Sequence, residues 1–128
     1  MLSMTTDLEK ALNDKRAPWT EIEYRTKDFW VFRDAYPVTS GHLLFVPTQE
    51  QGNNLWECYK AAYKFGYDGV ETALWDGFNI GQNVGESAGQ TVMYPHVHMI
   101  PRRTGDMPDP RGGVRHVIPE KGNYRVTK

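Results

Sequence analysis

A chain of 128 residues, 39% of them hydrophobic and 24% charged, has the size and make-up of one soluble globular domain with a single core. Its formal net charge of −1 argues against a general nucleic-acid binder or a membrane-surface protein, both of which need a strong basic excess. Cys58 is the only cysteine, which excludes an intrachain disulfide and a cysteine-based zinc cluster.

From the N-terminus, Thr5–Lys15 carries Leu8, Ala11 and Leu12 at helical spacing, with Thr5, Thr6 or Asp7 available as caps. Pro18 closes it. Glu21–Thr26 alternates Ile22 and Tyr24 with charged residues, the period of a half-buried strand. Phe29–Ala35 is a second strand, with Trp30, Phe32 and Asp34 on one face. YPVTSG (Tyr36–Gly41) is a turn by its proline and glycine, and His42–Val46, closed by Pro47, is an apolar run of the inner-strand kind. Leu55, Cys58, Tyr59, Ala62, Phe65, Val70 and Leu74 mark a long helix, in which Gly66 and Gly69 predict a bend or break. Trp75–Asn83 reads as a strand leading into a glycine-containing loop, Val84–Gly89. Val92–Ile100 reads as the last strand, ended by Pro101. Pro108, Pro110, Gly112 and Gly113 then predict a loop or tail from 105 to 128, with at most a short extended piece at Val114–Ile118. The order predicts a single α+β domain over 1–128, with a mainly antiparallel sheet of about five strands packed with two helices.

Charge separates along this order. Residues 1–100 hold 8 Lys/Arg against 13 Asp/Glu, whereas 101–128 hold 7 against 3, so an acidic body carries a basic tail. That tail is either a solvated extension or a binder of anionic substrate. Met1–Lys10 lacks the basic start and apolar run of a signal peptide, and no apolar stretch reaches the roughly 18–20 residues of a membrane span. A cytoplasmic location is the default expectation, with no membrane and no nucleic-acid partner.

The chemistry concentrates in GQTVMYPHVHMIPRR (Gly89–Arg103). On a strand, residues two apart share a face roughly 6.5–7 Å apart, so Tyr94, His96 and His98 line one face and Met93, Val97 and Met99 the other. A neutral imidazole is a nucleophile at neutral pH, and a neighbouring histidine can donate a proton to a leaving group. Phosphoryl centres need this together with several N–H donors. The loop Asn83–Thr91 offers flexible glycines, donor side chains at Asn83, Gln90 and Thr91, and backbone amides able to form an anion nest.

Gly77–Arg102, GFNIGQNVGESAGQTVMYPHVHMIPR, resembles the signature of the histidine triad family of nucleotidyl hydrolases and transferases, His-φ-His-φ-His-φ-φ (φ apolar) preceded by Gly-Gln-Ser/Thr-Val and an Asn-containing glycine loop. FRDAYPVTSGHLLFVPT (Phe32–Thr48) is similar to the family's upstream strand–turn–strand, and PDPRGGVRHVIPEKGNY (Pro108–Tyr124) to the tail of some bacterial members. The resemblance implies a histidine-triad-like fold and a two-fold homodimer. It implies that His96 attacks the α-phosphate of a nucleotide, with a purine base expected, to form a covalent nucleotidyl-histidine, while His98 contacts the phosphate and aids the leaving group. Asn83, Gly89, Gln90 and Thr91 become phosphate-binding residues. Asp34 becomes the partner of the ribose, with Phe32 and Ala35 near the base. The implied reaction is hydrolysis of a dinucleoside polyphosphate or nucleoside phosphoramidate, without metal or other cofactor.

One position departs from the pattern. Tyr94 replaces the first triad histidine, and is expected to support the site with a phenolic O–H at its edge. Pro95 resembles the proline before the nucleophile in galactose-phosphate uridylyltransferases, which keeps a nucleotidyltransferase open; a nucleotide-binding protein with reduced catalysis is the third reading. Blander roles stand beside these. His42 reads as structural, His116 as solvent-exposed, Asn79 as a strand or turn residue, and Trp19, Trp30, Trp56 and Trp75 as core or dimer surface. Asp34 is also placed to satisfy a turn N–H, and His96-X-His98 to ligate a metal with His42, His116, Cys58 or a carboxylate.

Overall fold

The computed structural model describes residues 5–125. Helix α1 (Asp7–Asn13) is capped by Thr6, whose hydroxyl accepts from the Glu9 amide while the Glu9 carboxylate accepts from the Thr6 amide. This reciprocal box satisfies two of the donors that a helix start leaves open. Strands β1 (Ile22–Arg25), β2 (Phe29–Arg33) and β3 (Leu43–Pro47) are followed by α2 (Asn54–Glu71), β4 (Gly77–Gly81) and β5 (Val97–Arg102). The five strands form one antiparallel sheet in the order β1-β2-β3-β5-β4. This matches the antiparallel α+β architecture read from the sequence.

Side-chain alternation sends the two faces of the sheet to different partners. Val31, Leu43, Phe45, Val97 and Met99 pack with Cys58 and Ala62 of α2. Phe32, Leu44 and Val46 face the other way, against Leu8 and Ala11 of α1 and against Tyr94. Because Leu44 pairs with His98 in the register of β3 and β5, the histidines stand on this second face, which α1 covers at only one end.

Three expectations change here. Helix α2 runs unbroken through Gly66 and Gly69, because those glycines are packing sites. A Cβ on Gly69 would overlap the Trp75 indole and one on Gly66 the Phe78 ring, and the Trp75 indole N–H donates to the Gly66 carbonyl at 2.8 Å. Strand β5 begins at Val97 rather than Val92 and continues through Pro101 to Arg102. Pro95 has no N–H for a ladder and fixes its own φ, so the chain before His96 is irregular. The tail is not featureless: a 3₁₀ turn (Gly113–Val117) and α3 (Pro119–Gly122) fold onto each other.

Candidate active site

Each reactive nitrogen is assigned by its partner, since a backbone N–H can only donate and a carbonyl can only accept. His96 is 9% exposed, and its Nδ1 lies 2.8 Å from the Tyr94 carbonyl oxygen. Nδ1 therefore carries the proton, and Nε2 presents its lone pair. Pro95 and the irregular chain before β5 produce this arrangement, in which the imidazole folds back on the carbonyl two residues upstream.

The second assignment starts from the YPVTSG turn. The Val38 amide donates to His42 Nδ1 at 3.0 Å, so His42 carries its proton on Nε2. That Nε2–H lies 2.9 Å from His98 Nδ1 and 3.4 Å from an Asp34 carboxylate oxygen. His98 Nδ1 accepts, which leaves the His98 proton on Nε2. One main-chain amide thus sets the tautomers of two histidines in series and leaves His98 a donor. The turn that starts the relay is tied to β5, with the Thr39 hydroxyl donating to the Pro101 carbonyl at 2.6 Å and Arg103 to the Ser40 carbonyl at 2.9 Å.

Electrostatics agree with this neutral chain. Burial, then the neighbouring His96 and His42, lower His98 to about 4 against the pull of Asp34. Burial also lowers His42, again opposed by Asp34. Two imidazoles joined at 2.9 Å, one accepting from an amide that cannot be deprotonated, have no room for a third proton.

The histidines open onto a cleft of about 440 Å³ whose lining includes Trp19, Asp34, Ala35, Asn83, Thr91 and His96, together with Gly89 and His98. The predicted His96, His98, Asp34, Ala35, Asn83, Gly89 and Thr91 thus meet in one cavity. Asp34 satisfies the anticipated turn N–H, one carboxylate oxygen accepting from the Tyr36 amide at 2.8 Å, and the residue also lines the cleft.

Other expected roles are corrected. Gln90 does not line the cleft. Its side-chain oxygen accepts from the Gly85 amide at 2.8 Å and its NH₂ donates to the Val92 and Met93 carbonyls, so it braces the loop rather than offering a phosphate donor. The amides of Ala88, Gly89 and Gln90 are likewise spent on the carbonyls of Gly85 and Glu86, so they build no anion nest. Phe32 is fully buried beneath Trp19, ring centroids 5.7 Å apart, and does not touch the cleft. Tyr94 shares the face of His96, but α1 covers that end of the sheet. The ring is 2% exposed, its O–H donates to the Pro47 carbonyl at 2.7 Å, and burial raises its pKa. Tyr94 serves the site through its carbonyl, not its phenol.

Two residues were given bland roles by sequence alone. His42, read as structural, is the middle of the relay. Trp19, read as core or dimer surface, lies in the cleft with its ring edge-on to His96 at 4.9 Å. The Gly-His pair beside an apolar strand was the available signal for the first. Nothing local marks Trp19, because it sits in the α1–β1 connection and reaches the site only through the fold.

Asp34, His42 and His98 offer donor atoms within 4.8 Å of one another, the spacing of a cation site. Their lone pairs are committed, however: His42 Nδ1 to Val38 and His98 Nδ1 to His42. A metal would have to break the relay, so these residues do not fit a resident ion. Cys58, the remaining soft ligand, is buried on the far face with its thiol raised to about 12.

The HIT domain family model matches residues 20–105. The chain is 32% identical over 99 residues to the nitrilase and fragile histidine triad fusion protein NitFhit of Caenorhabditis elegans; that match takes in 72% of this chain and 22% of the fusion protein. It is 31% identical over 108 residues to the bis(5'-adenosyl)-triphosphatase of Dictyostelium discoideum, covering 70% of this chain and 67% of that one. Among solved structures, a zinc-bound histidine triad family protein from Mycobacterium smegmatis superposes with a TM-score of 0.63 at 28% identity, covering 77% of this chain and 81% of that chain.

Proposed function

The chain belongs to the HIT domain family, and on that premise we propose that it hydrolyses a nucleotide at the α-phosphate through a covalent nucleotidyl-His96. The observation that carries this reading is the pair of opposed tautomers: a bare Nε2 on His96 beside an Nε2–H on His98, their rings 5.2 Å apart. A nucleophile and an N–H donor of this kind, brought together where β5 begins, suit displacement at phosphorus.

In this reading the nucleoside occupies the cleft, its base, expected to be a purine, against Trp19 and Ala35 and its ribose hydroxyls on Asp34. The phosphoryl oxygens take the Asn83 and Thr91 side chains. His96 Nε2 attacks phosphorus, and the bond to the leaving group breaks with its electron pair going to the leaving atom. For an amine, the His98 Nε2–H donates a hydrogen bond to that atom, which takes its proton from solvent. A water entering in place of the leaving group delivers its oxygen to phosphorus and releases its proton to solvent, freeing His96 and the nucleoside monophosphate. Dinucleoside polyphosphates and nucleoside phosphoramidates are the two candidate substrate classes; the Dictyostelium relative bears the name of a hydrolase of the first.

The homodimer is supported by Trp56, Tyr63 and Tyr67, an exposed aromatic stripe along α2, beside the open edge of β4. Incubation with a panel of adenylated and guanylated substrates of both classes, with products identified by mass, tests the function. Release of nucleoside monophosphate by the wild type, abolished in His96→Ala, is the expected result. Turnover retained in His96→Ala would refute it.

A further inference from the structure

The two oxygens of the Asp34 carboxylate have different neighbours. Oδ1 accepts from the Tyr36 amide at 2.8 Å, a local turn bond that fixes the carboxylate at the end of β2. Oδ2 lies 3.4 Å from His42 Nε2, the same nitrogen whose N–H reaches His98 Nδ1 at 2.9 Å. One proton therefore faces two acceptors, an imidazole lone pair and a carboxylate oxygen. Its donor cannot turn away from either, because His42 is 4% exposed and its Nδ1 is anchored by the Val38 amide at 3.0 Å. The Asp34 side chain keeps 17% of its surface open, and the residue lines the nucleotide cleft.

A charged acceptor competes strongly for an N–H. With the cleft empty, Oδ2 draws the His42 proton off the line to His98. That bond matters to His98, whose Nδ1 has no other partner among the described residues. It holds the ring in place, and an imidazole that accepts at one nitrogen donates more strongly at the other. In the reading above, the ribose hydroxyls donate to this same carboxylate. Two O–H groups on Oδ2 satisfy its lone pairs and weaken its pull, so the His42 proton turns to His98 alone. Asp34 stays charged throughout. What changes is the direction of one hydrogen bond, not a protonation state.

We propose that Asp34 and His42 couple ribose recognition to the chemical step: ribose hydroxyls bound at Asp34 release the His42 Nε2–H to His98, whose own Nε2–H then holds the leaving atom more firmly as phosphorus is attacked. The proposal rests on the hydrolytic reading above. His42 is the positioning residue of this coupling, acting only through His98, and Asp34 is the point at which the ribose enters it. A nucleotide that lacks a ribose hydroxyl is then discriminated against in the rate of bond breaking as well as in binding.

The test is a cycle of two substrates and two proteins. Diadenosine tetraphosphate and its counterpart built from 2'-deoxyadenosine are cleaved by wild type and by His42→Phe in single turnover at saturating enzyme, which separates bond breaking from affinity. In wild type the deoxy substrate should be cleaved about three- to tenfold more slowly, the worth of one hydrogen bond. In His42→Phe, slower overall, the two substrates should agree within about twofold, as removal of the coupling requires. Asp34→Asn repeats the test from the other end, and decides it if His42→Phe does not fold. Its amide oxygen stays on the Tyr36 N–H and its NH₂, which cannot accept, faces His42, so the ribose hydroxyl should again make no difference to the rate. A deoxy penalty as large in either variant as in wild type, or one confined to affinity in wild type, overturns the proposal while hydrolysis itself stands. Absence of nucleotide release from every substrate overturns both.

Discussion

Replacing Tyr94 by phenylalanine separates a stabilising phenol from a catalytic one. The O–H lies 2.7 Å from the Pro47 carbonyl in a setting where the ring is 2% exposed, so its removal strands a buried acceptor. Such a loss costs about 1–3 kcal/mol, and in a domain of this size each kcal/mol moves the melting temperature by roughly 3–5 °C. The backbone carbonyl that holds His96 is untouched by the substitution, so kcat/KM should stay within about twofold of wild type. Urea unfolding read by tryptophan fluorescence gives the stability, and steady-state nucleotide release gives the rate. Tyr94→His, which restores the family's pattern, should be no faster than wild type and less stable still, since a smaller polar ring replaces a phenol packed against Leu8, Phe32 and Leu44. A Tyr94→Phe enzyme as stable as wild type but slowed tenfold or more would refute this reasoning and put the phenol at the reaction.

Three further outcomes follow from the site. His42→Phe removes the donor that fixes His98, and should lower kcat/KM by roughly 10- to 100-fold, the worth of one buried hydrogen bond; nucleotide affinity measured by calorimetry should change little, and an unchanged rate would show that the relay is idle. Trp19→Ala should raise the nucleotide dissociation constant by about tenfold through lost contact with the base, with kcat nearly preserved; the opposite split would place Trp19 with the chemistry. Folding holds His98 at about 4 rather than the ordinary 6.5, so the unfolded chain binds more protons between those values. The contribution is fully felt above pH 6.5 and turns against the folded state as pH falls toward 4. Melting temperatures of wild type and His98→Gln should therefore change relative to each other across that window, wild type losing more, and parallel curves would contradict the buried neutral histidine.

How much of this was legible beforehand depends on how local each feature is. Strand alternation placed His96 and His98 on one face and Val97 and Met99 on the other; the register of β5 reproduces it from Val97 to Met99, and His96, just before the strand, keeps its ring 5.2 Å from that of His98. Apolar spacing marked α2, and Thr6 with Glu9 marked the start of α1. Alternation could also put Tyr94 on the histidine face, but which part of that face α1 covers is decided by contacts across some forty residues, such as Leu8 to the Thr48 carbonyl. The glycines of α2 looked like breakers because propensity counts only the helix itself; Trp75 and Phe78, arriving from the following connection and strand, need the missing side chains. Gln90 was read as a donor to phosphate because its type fits, and the carbonyls that claim it are two and three residues away but reachable only in the folded loop. In the basic tail, charge count does not say that Arg102 and Arg115 are engaged by the tail's own acceptors.

The account turns on a bond between phosphorus and His96 Nε2. Rapid mixing with substrate, quenching without acid so that a P–N bond survives, and peptide mass analysis within one turnover test it directly. The prediction is a nucleoside monophosphate adduct confined to the peptide bearing His96, forming before amine or polyphosphate release is complete and absent in His96→Ala. An active enzyme whose wild-type chain carries no adduct at any time point, or carries it on His98, contradicts the account.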